Sequence, residues 1–236
     1  MTAYGVWIAL AALLLFVLLK GCVSGAGLPK GTAEVYAVLA VPVALICARL
    51  VFCLADAGYF LSTLSQADKM LYFFDGGYSM TGALAGLAVA GVLTAKIIGA
   101  PRGKILDAAA VALGLPLCVA RLAEAETALG RGREVISEFL LQSAFFPVLD
   151  NGSYRHAVYR YEAVAAAILF LVMLAVSRKK WRAGDKALLF GILYGAAQVL
   201  LESMRDDFHM LWGFVRAQQV FVIFLPVTAA VAWGSS

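Results

Sequence analysis

The sequence predicts an all-α integral membrane protein, a seven-transmembrane-helix bundle forming one domain over residues 1–236. Three observations carry that prediction. Hydrophobic residues make up 63% of the 236-residue chain and charged residues only 14%, against about 25% charged in a soluble domain. Mean hydropathy is +0.87. Apolar runs recur at spanning length. Residues 76–95, between Asp75 and Lys96, are 20 consecutive uncharged residues, and a helix of that length covers roughly 30 Å, the thickness of the hydrocarbon core.

Seven segments follow in order: 3–20, 32–56, 77–98, 104–123, 158–177, 186–205 and 213–233. The first carries no charge before Lys20. It lacks the basic start of a cleavable signal peptide and reads as a helix in its own right. No segment alternates polar and apolar residues as a barrel strand does. Lys20 and Lys30 border the connection between the first two segments. Lys96, Arg102 and Lys104 lie between the third and fourth. SRKKWRAGDK, between the fifth and sixth, holds Arg178, Lys179, Lys180, Arg182 and Lys186. These loops share one side, and the positive-inside rule makes it cytoplasmic. The N-terminus is then outside and the C-terminus cytoplasmic. The net charge of +4 follows from this bias and makes no case for a nucleic-acid partner.

The longest connection, residues 124–157, forms an extracytoplasmic arm between the fourth and fifth helices. Gly, Asn and Asp mark turns at its ends. Its apolar middle suits the membrane surface, and its length suits either a functional loop or a plain connection. Cys22, Cys47, Cys53 and Cys118 have no metal-ligand spacing. No haem, zinc or redox motif appears.

Charge placement points to a site. The uncharged part of the fourth segment is residues 108–120, that of the fifth 163–177 and that of the sixth 187–201. Runs of 13 to 15 residues fall short of a crossing at 1.5 Å each. Each helix must therefore extend into charged residues. These are Arg121 and Glu124, then Arg160, Tyr161 and Glu162, then Glu202 and Arg205. Arg49 lies in the outer third of the second segment, Asp75 at the mouth of the third, and Arg216 just before the seventh. All fall on the outer side. A charge at membrane depth costs a few kcal/mol unless it finds a partner or water. One shared, hydrated cavity near the outer leaflet satisfies them together and suits an anionic lipid head group, with arginine as the phosphate-gripping fork. The alternative is that these charges snorkel or pair structurally. On the sixth segment Tyr194, Gln198, Glu202 and Arg205 form one polar stripe, expected to face the bundle interior. Gly82 and Gly86 form a G-x-x-x-G packing surface. Gly76 and Gly77, at a helix start, let backbone N–H groups approach an anion.

These stretches resemble a family. DGGYSMTGALAG is similar to the DGG-x-S-x-H-G-G-x-x-G segment of bacterial prolipoprotein diacylglyceryl transferases. Tyr4-Gly5 resembles that family's Tyr-Gly near its first helix, and CARL, with Arg49, its GGRIG segment. LDAAAVALGLPLCVARLAEAETALGRG resembles D-x-x-AP…GRIGNFINGE-x-x-G, retaining Asp107, Arg121 and Gly132. RHAVYRYEA resembles RHPSQLYEA, retaining Arg155, His156, Tyr161, Glu162 and Ala163. YGAAQVLLESMR resembles YG-x-x-R-x-x-x-E-x-x-R, retaining Tyr194, Gly195, Glu202 and Arg205. Gln219 stands at the family's late Gly-Gln.

The resemblance implies a multi-pass enzyme of the bacterial cytoplasmic (inner) membrane. It would transfer the diacylglyceryl group of phosphatidylglycerol to the lipobox cysteine of a prolipoprotein bearing an N-terminal signal peptide, releasing glycerol phosphate, with no metal or organic cofactor needed. A working transferase of this kind would use Arg121, Glu124, His156 and Glu202 as catalytic residues, with Arg121 gripping the phosphate, helped by Arg160 or Arg205, and either Glu124 or His156 acting as the base. Tyr4, Arg49, Gly76, Gly77, Thr81, Arg160, Tyr161, Glu162, Tyr194, Gln198 and Arg205 would bind substrate. Five departures bear on the site, and the family's roles at Thr81 and Gln198 are not carried over. Thr81 stands for the family's histidine and Ala83 for a glycine. Glu124 stands for an asparagine, Leu129 for a glutamate and Gln198 for an arginine. Two other readings stay open: a paralogue that binds lipid or lipoprotein without this chemistry, and a small transporter. The charges on one side and the lack of an inverted repeat count against the transporter.

Overall fold

The structure is a computed structural model. It describes residues 3–62, 68–73, 76–127, 129–143, 145–205, 210–211 and 215–216. Six long helices organise the described residues: α1 (Ala3–Gly25), α2 (Thr32–Ala55), α3 (Met80–Ile98), α4 (Arg102–Leu122), α5 (Val158–Ser177) and α6 (Asp185–Glu202). Five helices, α1 to α5, are long and apolar enough to cross a membrane. The chain is an all-α integral membrane protein in its spanning part.

Two boundaries differ from the sequence expectation for physical reasons. α3 starts at Met80 rather than residue 77, because Ser79 caps it, its Oγ accepting from Gly82 N at 3.3 Å. α6 stops at Glu202, and Arg205 turns back through its N–H to the Glu202 carbonyl at 3.3 Å. Arg205 therefore leaves the helical stripe. The seventh segment falls mostly outside the described residues. At its start, β5 (Val215–Arg216) pairs antiparallel with β4 (Met210–Leu211), so strand pairing rather than a helix holds residues 215–216. Asp75 and Gln219 also lie outside the described residues.

The apolar side chains left outside explain why the chain needs a membrane. Leu10, Leu13 and Val17 on α1, and Val38, Leu45 and Leu50 on α2, are exposed. Such stripes would be a liability in water. Inside, α4 is the central helix, touching α1, α3, α5 and α6. One core joins Leu19, Tyr36, Ala90 and Ile105, and a second joins Val111, Leu117, Leu169 and Met173.

Small residues set the close approaches. A Cβ on Gly82 would stand 2.8 Å from Ala48 Cα, and one on Gly86 2.7 Å from Ala44 Cα. The G-x-x-x-G pair is thus the seam between α3 and α2. Tyr36 Oη crosses that seam to the Leu87 carbonyl at 3.0 Å. At the far end of α4 from Arg121, Asp107 reaches the start of α6. Its carboxylate accepts from Gly184 N and Ala187 N, each at 2.9 Å. A side chain from another helix therefore caps α6 and fixes its axial position against α4.

The arm is not purely helical. β1 (Arg131–Glu134), β2 (Pro147–Asp150) and β3 (Ser153–Ala157) form an antiparallel sheet in the order β1-β3-β2. The sequence carries a signal for it: Asn151-Gly152, with Asn151 at φ 46°, is the tight-turn pair that joins β2 to β3. A short helical turn, Glu138–Leu141, lies between β1 and β2.

Gly86→Val is expected to lower stability by about 2 kcal/mol through overpacking, read as a lower unfolding midpoint in detergent. Ala85→Val, on the exposed face, should leave the midpoint unchanged. Asp107→Ala is expected to cost about 1–2 kcal/mol in the same measurement, because it leaves two N–H groups of α6 without their acceptor.

Candidate active site

Four elements bring charge to one point. Arg121 comes from the last turn of α4 and Glu124 from the 3₁₀ turn that follows (Ala123–Glu126). Glu162 comes from the first turns of α5, and Arg205 from just beyond α6. All four are buried. Arg121 Nη1 donates to Glu124 Oε1 at 2.7 Å and lies 3.2 Å from Glu162 Oε2. Arg205 Nη1 lies 3.2 and 3.1 Å from the two oxygens of Glu162, and its Nη2 lies 3.5 Å from Glu124 Oε2. Each carboxylate therefore bridges both arginines in a closed ring. Gln198 Nε2 donates to Glu162 Oε1 at 2.8 Å, and Arg121 Nη2 to Tyr194 Oη at 3.4 Å. Glu202 is 4% exposed, and its charge acts on Arg205 and Tyr194. Tyr4, on α1, is near enough to feel Glu124 and Arg121. The reason for the ring is desolvation: an ion without a partner in this interior would cost several kcal/mol.

A cavity of about 240 Å³ adjoins the ring. Arg121, Glu162, Tyr194 and Gln198 stand on its wall, and the rest is aliphatic, including Leu117, Ala166, Leu169, Leu193, Ala197 and Leu201. Alanines on α5 and α6 leave the gap. Ile168, another wall residue, is 56% exposed and Leu193 is 36% exposed, so among the described residues the cleft opens sideways between α5 and α6 on an apolar side. The arrangement joins a charged head to a greasy trough.

The arm lies against the ring through backbone. Gly132 forms a bridge with Arg205. Gly130 has φ 68°, and a Cβ there would stand 2.5 Å from Glu124 Oε2 and 2.8 Å from Tyr159 Cβ. Only glycine fits that position without strain.

Other expected site residues have different surroundings. Arg49 is buried and donates to the carbonyls of Lys69, Met70, Gly76 and Gly77. Its guanidinium also lies 5.7 Å from the ring centres of Phe52 and Phe60. Gly76 and Gly77 thus offer carbonyls to an arginine. Gly77, at φ 75°, is also pressed against the Phe52 ring, where a Cβ would stand 2.5 Å away. His156 Nδ1 is 2.9 Å from Tyr161 Oη. Arg160 donates to Phe145 O at 3.0 Å and Pro147 O at 3.4 Å, tying β2 to α5. Thr81 is buried in the first turn of α3. The expected residues that gather in or beside the ring are Arg121, Glu124, Glu162, Tyr194, Gln198, Glu202 and Arg205, with Tyr4 close by.

Fold and site together define an all-α membrane protein whose buried ionic centre heads an apolar, sideways-opening cleft. Comparison with known proteins gives the family. The family described as prolipoprotein diacylglyceryl transferase matches residues 1–234. The phosphatidylglycerol–prolipoprotein diacylglyceryl transferase of Geobacillus kaustophilus is 30% identical over 213 residues, covering 88% of this chain and 77% of that protein. The enzyme of the same name from Halalkalibacterium halodurans is 28% identical over 240 residues, covering 98% and 80%. That from Bacillus licheniformis is 27% identical over 233 residues, covering 96% and 85%. The chain belongs to the prolipoprotein diacylglyceryl transferase family.

Glu162→Ala is expected to destabilise the protein by about 3–5 kcal/mol, because both arginines lose a shared carboxylate. Thermal unfolding in detergent measures it.

Proposed function

We propose that this chain transfers the diacylglyceryl group of phosphatidylglycerol to the lipobox cysteine of a prolipoprotein, at the ring end of the cleft. One observation carries the assignment to this place. The Arg121 guanidinium stands at the head of an aliphatic cleft that opens on an apolar side. A phospholipid has that division, with a phosphate for the arginine and acyl chains for the trough. The transfer is the reaction named for the family and for the relatives above.

The geometry supports these roles. Arg121, supported by Arg205, offsets the phosphate charge that grows as the ester bond breaks. Glu124 takes the proton of the acceptor thiol, since the thiolate is the nucleophile. Glu162 and Gln198 hold the two arginines in place. Glu202 keeps the end of the α6 stripe polar, and Tyr194 and Tyr4 stand beside the leaving group. His156, Tyr161 and Arg160 brace the arm, and Arg49 holds the carbonyls of Lys69, Met70, Gly76 and Gly77. Gly76, Gly77 and Thr81 shape the start of α3.

In the membrane we place seven helices, with the N-terminus outside, the C-terminus cytoplasmic and the 124–157 arm extracytoplasmic. The basic loop 178–186 lies at the other end of α5 and α6 from Glu162 and Glu202, which supports this orientation. The bacterial inner membrane is the location that fits such a reaction. There the acceptor arrives on its signal peptide and membrane lipids supply the donor.

The purified full chain given phosphatidylglycerol and a lipobox peptide should yield a thioether product by mass spectrometry. Arg121→Ala should reduce its formation at least about a hundredfold. Lipid retained without any product would favour a binding paralogue, and solute flux in liposomes without product would favour a transporter.

A further inference from the structure

Arg121 gives its donors to carboxylates: Nη1 bonds Glu124 Oε1 at 2.7 Å and lies 3.2 Å from Glu162 Oε2. A lipid phosphate that reaches Arg121 must displace one of them. Glu162 is not that group. It accepts from Gln198 at 2.8 Å and is held by Arg121 and both oxygens' contacts with Arg205 between 3.1 and 3.2 Å. Glu124 has one short bond, 2.7 Å to Arg121 Nη1, and a long one, 3.5 Å to Arg205 Nη2. Among the described residues, Arg121 is the one side chain that both lines the cleft and bonds Glu124.

We infer that the lipid phosphate and the Glu124 carboxylate compete for the Arg121 guanidinium, so that arrival of the donor lipid unmasks Glu124 as the base for the acceptor thiol. This rests on the reading of the site given above and adds an order of events to it. In the resting protein the Arg121 bond occupies Glu124 Oε1. The phosphate takes over the Arg121 donors, which releases Glu124 Oε1 while Oε2 keeps its 3.5 Å contact with Arg205.

The freed carboxylate then takes the S–H proton. The sulfur bonds the terminal glyceryl carbon as that carbon's bond to the phosphate oxygen breaks. The electron pair of the broken bond leaves on glycerol phosphate, whose added negative charge is balanced by the proton on Glu124. When glycerol phosphate departs, the proton passes to water and Glu124 returns to Arg121. A thiol that arrives before the lipid meets no base.

The test uses the full chain in nanodiscs. It measures phosphatidylglycerol affinity by native mass spectrometry, and turnover with a lipobox peptide. Glu124→Gln keeps the shape but removes the competing charge. It should bind the lipid about tenfold more tightly, while kcat falls by about a hundredfold or more. Opposite movement of affinity and turnover is the signature, since a merely structural role would weaken both. Unchanged or weaker lipid binding in Glu124→Gln, or an unchanged kcat, overturns the inference. If Glu124→Gln does not fold, Glu124→Asp carries the test. Its shorter side chain retreats from Arg121, so binding should tighten with measurable turnover kept, and unchanged or weaker binding overturns the inference. Wild-type protein that neither binds the lipid nor forms product would sink the reading of the site itself, a different result from wild-type activity with unaltered variant affinity.

Discussion

An arginine inside a helical bundle has no water to lean on, and Arg121 sits there at 4% exposure. Its demand for partners organises the molecule. Glu124 must follow within one turn on the same chain segment, and Glu162 must be delivered by α5. Arg205 then closes the circuit, because two carboxylates beside one guanidinium would themselves be unbalanced. The apolar helices supply a container of low polarizability, and within it the ring interactions are stronger than they would be in water. α4 is central for the same reason: it carries Arg121 at one end and, at the other, the Asp107 carboxylate that fixes α6 and thereby the position of Gln198 and Glu202.

Much of this was legible in the sequence, and particular residues show why. Runs of 13 to 15 uncharged residues are too short to cross a bilayer, so Arg121, Glu162 and Glu202 had to enter it and meet. That argument uses only length and solvation. It is insensitive to the direction in which any one side chain points, and in the structure Arg121 and Glu162 lie 3.2 Å apart. The polar stripe of Tyr194, Gln198 and Glu202 was legible from helical periodicity, and all three are buried.

Direction is what the sequence withheld. Arg49 carries the same charge as Arg121 and also sits in an apolar helix. Its partners are carbonyls of a segment about 20 residues further on. Backbone carbonyls exist at every residue, so no pattern of side chains announces them. The glycines before α3 are explained by the same contact, with Gly76 and Gly77 bending the chain so that their carbonyls meet that arginine. The sheet in the arm was hidden behind its apolar composition, although Asn151-Gly152 marks its hairpin. The reach of Asp107 to α6 spans 77 residues and depends on tertiary contact alone. Such long-range caps leave no local trace beyond the resemblance that retains the aspartate.

The opening between α5 and α6 has a consequence for how encounter with an amphiphile is governed. In the membrane placement proposed above, a groove flanked by Ile168 and Leu193 faces neighbouring acyl chains rather than bulk solvent. A molecule entering there diffuses in a plane and never detaches from its leaflet. Its effective dose is then the mole fraction of that species among surrounding lipids, and millimolar figures for a suspension carry no meaning. Diluting the vesicles would leave occupancy untouched, while blending in an inert lipid would lower it.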